Sequence, residues 1–284
     1  MAKVDKKWNL IVDIDLCENC NNCFLSCKDE HVGNDFPGYA KSQPREGHSW
    51  ISIDRIERGQ VPMVEASFMP RMCNHCVDAP CIKAAGDDSV YMRGDGIVII
   101  DPQKARGRKD LVGACPYGAI YWNEEEQLPQ KWIFDAHLLD QGWPEPRCTQ
   151  ACPTGALHAV KVPDSEMSDI IAREGLNSLV SGTDVTSRVH YKNLSKFVDA
   201  FVGGTVEVFK DGISDCLESA KVSVVKQGKT IGHALTDNYG DFKIDHIPEN
   251  VGEVILCVEH ASYGKQEISL NVHKSIYIGS VVLK

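Results

Sequence analysis

The sequence has no long apolar run, no surplus of basic residues and too few cysteines for a disulfide scaffold. Nowhere do about 18 apolar residues follow one another, so we expect no membrane-spanning helix and no direct membrane insertion. Lys and Arg number 30 against 40 Asp and Glu, a net charge of −10, so we expect no nucleic-acid partner. Twelve cysteines in 284 residues are about 4% of the chain, below the density of disulfide-rich folds.

The N-terminal residues also lack the pattern of a secretory signal peptide. The apolar run 8–12 is short, and Asp13 and Asp15 interrupt the residues after it. This stretch predicts a first β-strand instead. The grouping of the cysteines favours a reducing compartment, so we expect the cytoplasm.

Four cysteines lie within eleven positions near the N-terminus: Cys17, Cys20, Cys23 and Cys27. In bacterial ferredoxins a run of this kind places its first three sulfurs around one cluster, and the fourth binds a different cluster. Zinc sites usually show paired thiols and a long spacer, so a third thiol at this distance argues against zinc. The run therefore predicts iron–sulfur clusters.

Further cysteines follow in three groups. The first is Cys73, Cys76 and Cys81, and the second is Cys115, which is followed by Pro116. The third is the pair Cys148 and Cys152, and Cys152 is again followed by proline. The sequence Cys-Pro-x-Gly occurs twice, and this internal repeat indicates a duplicated ferredoxin-like unit. Proline after each cysteine places the sulfur at a turn.

The character of the chain changes after residue 203, where seven short alternating runs predict a small all-β sandwich or barrel. We predict an α+β fold with a ferredoxin-like 4Fe-4S domain over 1–176, a linker over 177–202 and the β domain over 203–284. Residues 28–48 are polar and rich in turn formers, which predicts a loop. Cys216 and Cys257 lie in the β domain, and we interpret both as packed thiols.

The cysteine-bearing part resembles the iron–sulfur subunits of the dimethyl sulfoxide reductase superfamily of molybdopterin enzymes. Within that superfamily the chain is most similar to the subunits of pyrogallol–phloroglucinol transhydroxylases. The residues that carry the resemblance are the first cysteine run, Cys73–Cys81, Asp95–Asp101, Cys115–Ala119, Cys148–Pro153, Phe36–Tyr39, Tyr121–Glu126, Ala136–Asp140 and Tyr191–Leu194. Ala234–Phe242 is similar to a transthyretin-like or carboxypeptidase-regulatory sandwich.

The resemblance implies how the thiols pair. Cys17, Cys20 and Cys23 would share one 4Fe-4S cluster with Cys152. A second cluster would be held by the other complete set, which is Cys73, Cys76, Cys81 and Cys115. Each set has the four thiolates that a 4Fe-4S cube requires.

The chain departs from the superfamily pattern at six positions. Four-cluster relatives carry cysteine where this chain has Ala85, Ala105, Arg108 and Leu111, so one site is lost. Trp132 and Asp135 replace a Cys-x2-Cys pair, so a third site keeps only Cys27 and Cys148. Asp135 is an oxygen donor that would make this a three-ligand site with a labile or three-iron cluster. The alternative is two packed thiols beside a vacated site that Trp132 fills.

We predict a non-catalytic electron-transfer subunit, because no acid–base pair, nucleophile or open metal site is evident. His75 would support the second cluster by hydrogen bonding, and a polar surface position is expected for His137. The resemblance implies a large partner subunit that carries the molybdopterin cofactor and acts on phenolic substrates. It also makes the periplasm an alternative location, reached by co-export with that partner. Three other functions stay open: a subunit of an oxyanion or sulfur-compound reductase, a free-standing ferredoxin with an accessory β domain, and a structural zinc protein.

Overall fold

A computed structural model describes residues 5–179, 185–210 and 212–284, and its elements are mostly strands with short helices. In chain order they are β1 (Lys7–Asp13), α1 (Asn22–His31), β2 (Ile51–Gln60), β3 (Met63–Met72), α2 (Pro80–Ala85), β4 (Val90–Met92), β5 (Val98–Ile100), β6 (Tyr121–Asn123), β7 (Leu128–Gln130), α3 (Ala136–Asp140), α4 (Arg147–Gln150), β8 (Leu157–Val162), α5 (Asp164–Glu174), β9 (Val189–Lys192), α6 (Ser195–Val198), β10 (Asp199–Lys210), β11 (Ile213–Cys216), β12 (Lys221–Lys226), β13 (Lys229–Leu235), β14 (Asp241–Pro248), β15 (Gly252–His260), β16 (Gly264–Val272) and β17 (Ile276–Leu283). Short 3-10 turns cover Ile14–Leu16 and Lys109–Ala114.

The chain divides into two compact units. The first comprises Met1–Asp54 and Phe68–Leu194, and the second comprises Arg55–Ser67 and Ser195–Lys284. The hairpin of β2 and β3 contributes to both, because its far end is counted with the second unit. The predicted linker, 177–202, contains β9 and the start of β10, and its residues 180–184 lie outside the described part.

The first unit is built on a three-stranded sheet with β1 at its centre. β1 pairs antiparallel with β8 and parallel with β9, and its apolar run is buried throughout, as expected for a central strand. The two strand ends adjoin the cysteine segments: β1 leads into the run that begins at Cys17, and β8 follows Cys152. Three two-stranded hairpins are also present: β2/β3, β4/β5 and β6/β7. β3 leads into the cysteine segment that begins at Cys73.

The first helix was not predicted. α1 runs to His31, so the beginning of the predicted loop 28–48 is helical. Cys23, Cys27 and His31 recur at every fourth residue, and all three are buried on one face of α1. That spacing was the available signal for a helix.

The second unit contains two four-stranded sheets whose inner faces share one hydrophobic core. β10 pairs with β11, β14 and β17, and the other sheet has the order β13-β12-β15-β16. Among the described residues, eight strands are present from β10 onward, one more than the seven predicted. The additional strand is β11, whose side chains are all exposed and so show no buried alternation. Cys216 lies on it and is exposed, so its predicted packed position was wrong.

Candidate metal centres

The first group of thiols joins the N-terminal run to a distant turn. Cys17 and Cys20 lie in the loop between the first 3-10 turn and α1, where Asn19 and Asn21 take the left-handed conformation with φ of 53° and 61°. Burial raises the pKa of Cys23 to about 12, and the thiolate charges of Cys17 and Cys152 contribute to the rise. Cys152 is therefore a neighbour of the N-terminal thiols, as the resemblance implies.

The second group of thiols lines a single cavity. Its four members follow β3, lie on α2 and end the second 3-10 turn, and they are Cys73, Cys76, Cys81 and Cys115. Burial raises the pKa of Cys76 to about 12 and that of Cys81 to about 11, and the neighbouring thiolates contribute to both shifts. Binding iron must release these protons, because thiolates are the ligands of metals.

The two Cys-Pro turns direct backbone N–H groups at their sulfurs. The Ala119 N–H donates to Cys115 Sγ at 3.4 Å, and the Tyr117 N–H also faces this sulfur. At Cys152 burial is opposed by N–H groups of Leu157, Thr154 and Ala156, and the net effect lowers its pKa. In both turns the donors lie two and four residues after the cysteine. Such donors stabilise charge on a ligating sulfur.

The third group consists of Cys27 on α1, Cys148 on α4 and the carboxylate of Asp135. Burial raises the pKa of both thiols well above the usual value, and the Asp135 charge adds to this. Both Asp135 oxygens already have partners. His31 Nε2 donates to Oδ1 at 3.2 Å, and the Arg147 N–H donates to Oδ2 at 2.8 Å. Although burial raises the Asp135 pKa, these hydrogen bonds and the nearby imidazoles hold the net pKa below its usual value.

Aromatic side chains fill the space next to Asp135. Trp132 and Phe134 are fully buried and stack with ring centroids 4.7 Å apart. His75 meets both rings edge-on at 5.6 Å. Phe134 and Asp135 both have positive φ, 57° and 49°, a conformation that non-glycine residues seldom adopt. Trp132 and Phe134 therefore form an aromatic part of the core beside Asp135.

The four positions that carry cysteine in four-cluster relatives are closed by packing. Ala85, Ala105 and Leu111 are buried in one apolar cluster. Arg108 donates to the Ala85 carbonyl at 3.2 Å and pairs with Asp87 and Asp110. These residues offer no thiolate and leave no polar side chain directed inward.

His75 and His137 are both buried, but they differ in their hydrogen-bond partners. His75 is buried, and its Nδ1 accepts from the Val98 N–H at 3.0 Å. The prediction of a polar surface position for His137 was wrong: it is 3% exposed, its Nε2 donates to Glu30 at 2.9 Å, and its ring stacks on Phe36. Glu30 also accepts from Arg147 at 2.6 Å, so a partly buried polar network connects α1 with α3 and α4.

Two features are absent from the described residues. Across 5–179, 185–210 and 212–284, no group of three or more His, Cys, Asp or Glu is arranged to hold a single metal ion. In the same residues no helix has the length and apolarity needed to cross a bilayer.

The two sets of four thiols are typical of an iron–sulfur protein of the two-cluster ferredoxin kind, and the sequence comparisons agree. The 4Fe-4S dicluster domain family matches residues 64–162. A subunit of the tetrathionate reductase of Salmonella typhimurium is 28% identical over 69% of this chain and 75% of its own length. A subunit of the sulfite dehydrogenase of Allochromatium vinosum is 30% identical over 64% and 81%.

A relative that matches along its full length identifies the family of this chain. The pyrogallol hydroxytransferase small subunit of Pelobacter acidigallici is 38% identical over 281 residues, which is 98% of this chain and 100% of the relative. The chain belongs to this family of molybdoenzyme iron–sulfur subunits. It is an electron-transfer subunit with 4Fe-4S clusters, as the sequence resemblance predicted.

Proposed function

We propose that this chain is the small subunit of a molybdopterin-dependent transhydroxylase that acts on phenolic substrates. The observation that carries the proposal is the identity of 38% along the whole chain to a pyrogallol hydroxytransferase small subunit. A large partner subunit would hold the molybdopterin cofactor and the substrate. Hydroxyl transfer between phenolic rings is redox-neutral overall, so the clusters would set the oxidation state of the molybdenum rather than carry continuous current.

The proposed ligands are the two sets of four thiols described above. Cys17, Cys20, Cys23 and Cys152 hold the first cluster, and Cys73, Cys76, Cys81 and Cys115 hold the second. Support comes from the shared neighbourhood of each set and from the backbone N–H groups directed at Cys115 and Cys152. Each set has the four thiolates that a 4Fe-4S cube requires, and the four cysteines of the second set line one cavity.

For the third group we propose packed thiols without a cluster. Cys27 and Cys148 supply only two sulfurs, and both Asp135 oxygens are engaged with His31 and Arg147. Iron bound to Asp135 would compete with these two buried N–H donors for the electron density of the carboxylate. Iron content tests this assignment directly.

The remaining proposals concern the domains and the location. We propose the boundaries 1–176 and 203–284 with a transthyretin-like identity for the β domain, supported by its two sheets and by the Ala234–Phe242 sequence. We further propose a cytoplasmic location, supported by the number of unpaired cysteines, with the periplasm as the alternative.

Anaerobic purification of the complex tests the proposal. We expect about eight irons and eight sulfides per small subunit and two EPR signals after reduction. Cys76→Ala should remove one signal and about four irons, because it deletes a ligand of the second cluster. Cys216→Ala, at an exposed thiol of the second unit, is the matched control and should change neither. Colourless, iron-free material after reconstitution would contradict the proposal, and zinc in its place would identify a structural zinc protein.

A second function is favoured by the similarity to the subunits of a tetrathionate reductase and a sulfite dehydrogenase. A subunit of a sulfur-compound oxidoreductase would have the same clusters. The purified complex should convert pyrogallol and leave tetrathionate and sulfite unchanged; the reverse result would establish the second function. Electron exchange by the chain without any large subunit would instead identify a free-standing ferredoxin.

A further inference from the structure

Lys131 is a buried lysine without an acidic partner among the residues that the structure describes. Only 2% of it is exposed. Its Nζ donates to two backbone carbonyls, those of Val98 at 2.5 Å and Trp132 at 3.2 Å. Carbonyl dipoles satisfy hydrogen bonds but do not neutralise a positive charge. Burying an unpaired charge costs several kcal/mol, so a counter-charge is expected nearby.

The cavity that Lys131 lines contains the second group of thiols. Lys131 shares this cavity with Cys81 and Cys115, so its positive charge acts on both sulfurs. A 4Fe-4S cluster held by four thiolates has a net negative charge, and no other group at this cavity supplies one within the described residues. The cluster therefore provides the missing counter-charge.

His75 offers a second polar group to the same cavity. Because its Nδ1 accepts from the Val98 N–H, the hydrogen of the neutral ring lies on Nε2. Nε2 is buried and has no partner in the described residues. The backbone of Val98 thus holds both side chains, His75 through its N–H and Lys131 through its C=O. An unpartnered donor and an unpaired cation both suit an anionic cluster.

Next to the first thiol group the structure describes a carboxylate. Glu18 follows Cys17 directly, and its solvent-exposed side chain places a weak, screened negative charge beside this group. Reduction adds one negative charge to a cluster. A nearby cation stabilises that charge, and a nearby carboxylate destabilises it.

We propose that Lys131 is the charge partner of the second cluster and raises its reduction potential above that of the first. An electron leaving the reduced first cluster would then reduce the oxidised second cluster and rest there, with no proton transferred. Lys131 acts on the cluster through space and is a positioning residue, not a ligand. The proposal rests on the assignment of Cys73, Cys76, Cys81 and Cys115 to one cluster.

A redox titration of the purified complex, followed by EPR, tests this role. The signal lost in Cys76→Ala identifies the second cluster. In Lys131→Met, and in Lys131→Gln, which keeps donors for the two carbonyls, the ratio of reduced to oxidised second cluster should fall at least tenfold at a given potential. For a one-electron couple this is about 59 mV. The first cluster should not shift. Lys83→Met, at an exposed lysine on α2 near Cys81, is the matched control and should shift neither signal.

Several results would overturn the proposal. One is a change of less than threefold in the ratio of reduced to oxidised second cluster in both neutral variants. Another is an equal change of that ratio in Lys83→Met. If both neutral variants lose the second cluster, the wild-type order decides, because the proposal requires the second cluster to be reduced first. Absence of two clusters in the wild type would refute the ligand assignment instead, and iron content distinguishes that failure.

Discussion

At the scale of single residues, Asp135 shows how one buried carboxylate can connect two segments of the chain. Its two oxygens bind His31 on α1 and the backbone N–H of Arg147, which begins α4. Because Asp135 is 1% exposed, no water is available to replace either partner. The carboxylate thus ties together the segments that carry Cys27 and Cys148.

Substitution of Asp135 separates a structural role from ligation. We expect Asp135→Ala to lower the free energy of unfolding by about 3 kcal/mol, because it leaves two buried N–H donors unpaired. Asp135→Asn should be milder, since the amide oxygen can accept from the Arg147 N–H and the amide NH2 can donate to His31 Nε2 when that ring carries its hydrogen on Nδ1. Iron content should stay at about eight per chain in both variants, measured beside urea unfolding. Loss of iron in either variant, with stability unchanged, would indicate that Asp135 is a cluster ligand.

At the scale of elements, the turns of the second unit depend on residues with positive φ. Gly240, before β14, has φ of +78°, and its N–H donates to the Asp237 carbonyl at 2.9 Å. A Cβ built there would lie 2.4 Å from the Val206 carbonyl oxygen on β10. Gly228, between β12 and β13, has φ of +77° and no atom within 4 Å of such a Cβ.

These two glycines form a matched pair for measuring packing separately from backbone strain. Gly228→Ala should lower the free energy of unfolding by about 1 kcal/mol, the cost of a left-handed alanine. Gly240→Ala should lower it by about 3 kcal/mol, because the added methyl also collides with β10. Urea denaturation of both variants provides the comparison. Equal losses would show that the contact with Val206 is relieved without cost.

At the scale of the whole molecule, buried neutral histidines set the response to acid. Burial lowers the pKa of His190 on β9 to about 4, and the positive charge of Arg188 contributes. Burial also lowers the pKa of His48. A histidine whose pKa falls on folding stabilises the native state above its unfolded pKa, about 6.5, and that stability is lost as pH falls towards the folded value.

The free energy of unfolding should therefore fall as pH is lowered from 7.5 to 5.5. His190 alone should contribute about 1 kcal/mol of this loss. In His190→Gln that part of the pH dependence should disappear. His158→Gln is the matched control. His158 is exposed on β8 and pairs with Ile11 of β1, and His190 on β9 pairs with the same residue. Anaerobic unfolding at both pH values checks this, and an unchanged slope in His190→Gln would contradict it.

How much could be read from sequence differs along the chain. Thiol spacing and the repeated Cys-Pro-x-Gly sequence identified the cluster-bearing region. The alternation of apolar and polar residues identified all but one of the described strands from β10 onward. β11 was not predicted because none of its residues is buried, and an alternating pattern arises only when one face of a strand is buried. The burial of His137 escaped as well, because its partner Glu30 is distant in sequence.

Local order along the chain was sufficient to indicate an iron–sulfur protein, because cysteines recur at short intervals within the run 17–27 and within the group 73–81. Only the folded arrangement shows that both Asp135 oxygens accept hydrogen bonds and that Lys131, with no acidic partner among the described residues, lies in a cavity lined by four cysteines. The physical reason is that a charge is tuned by whatever surrounds it in space. Those neighbours come from β5, α1 and α4, and no spacing rule connects them to the residues they affect.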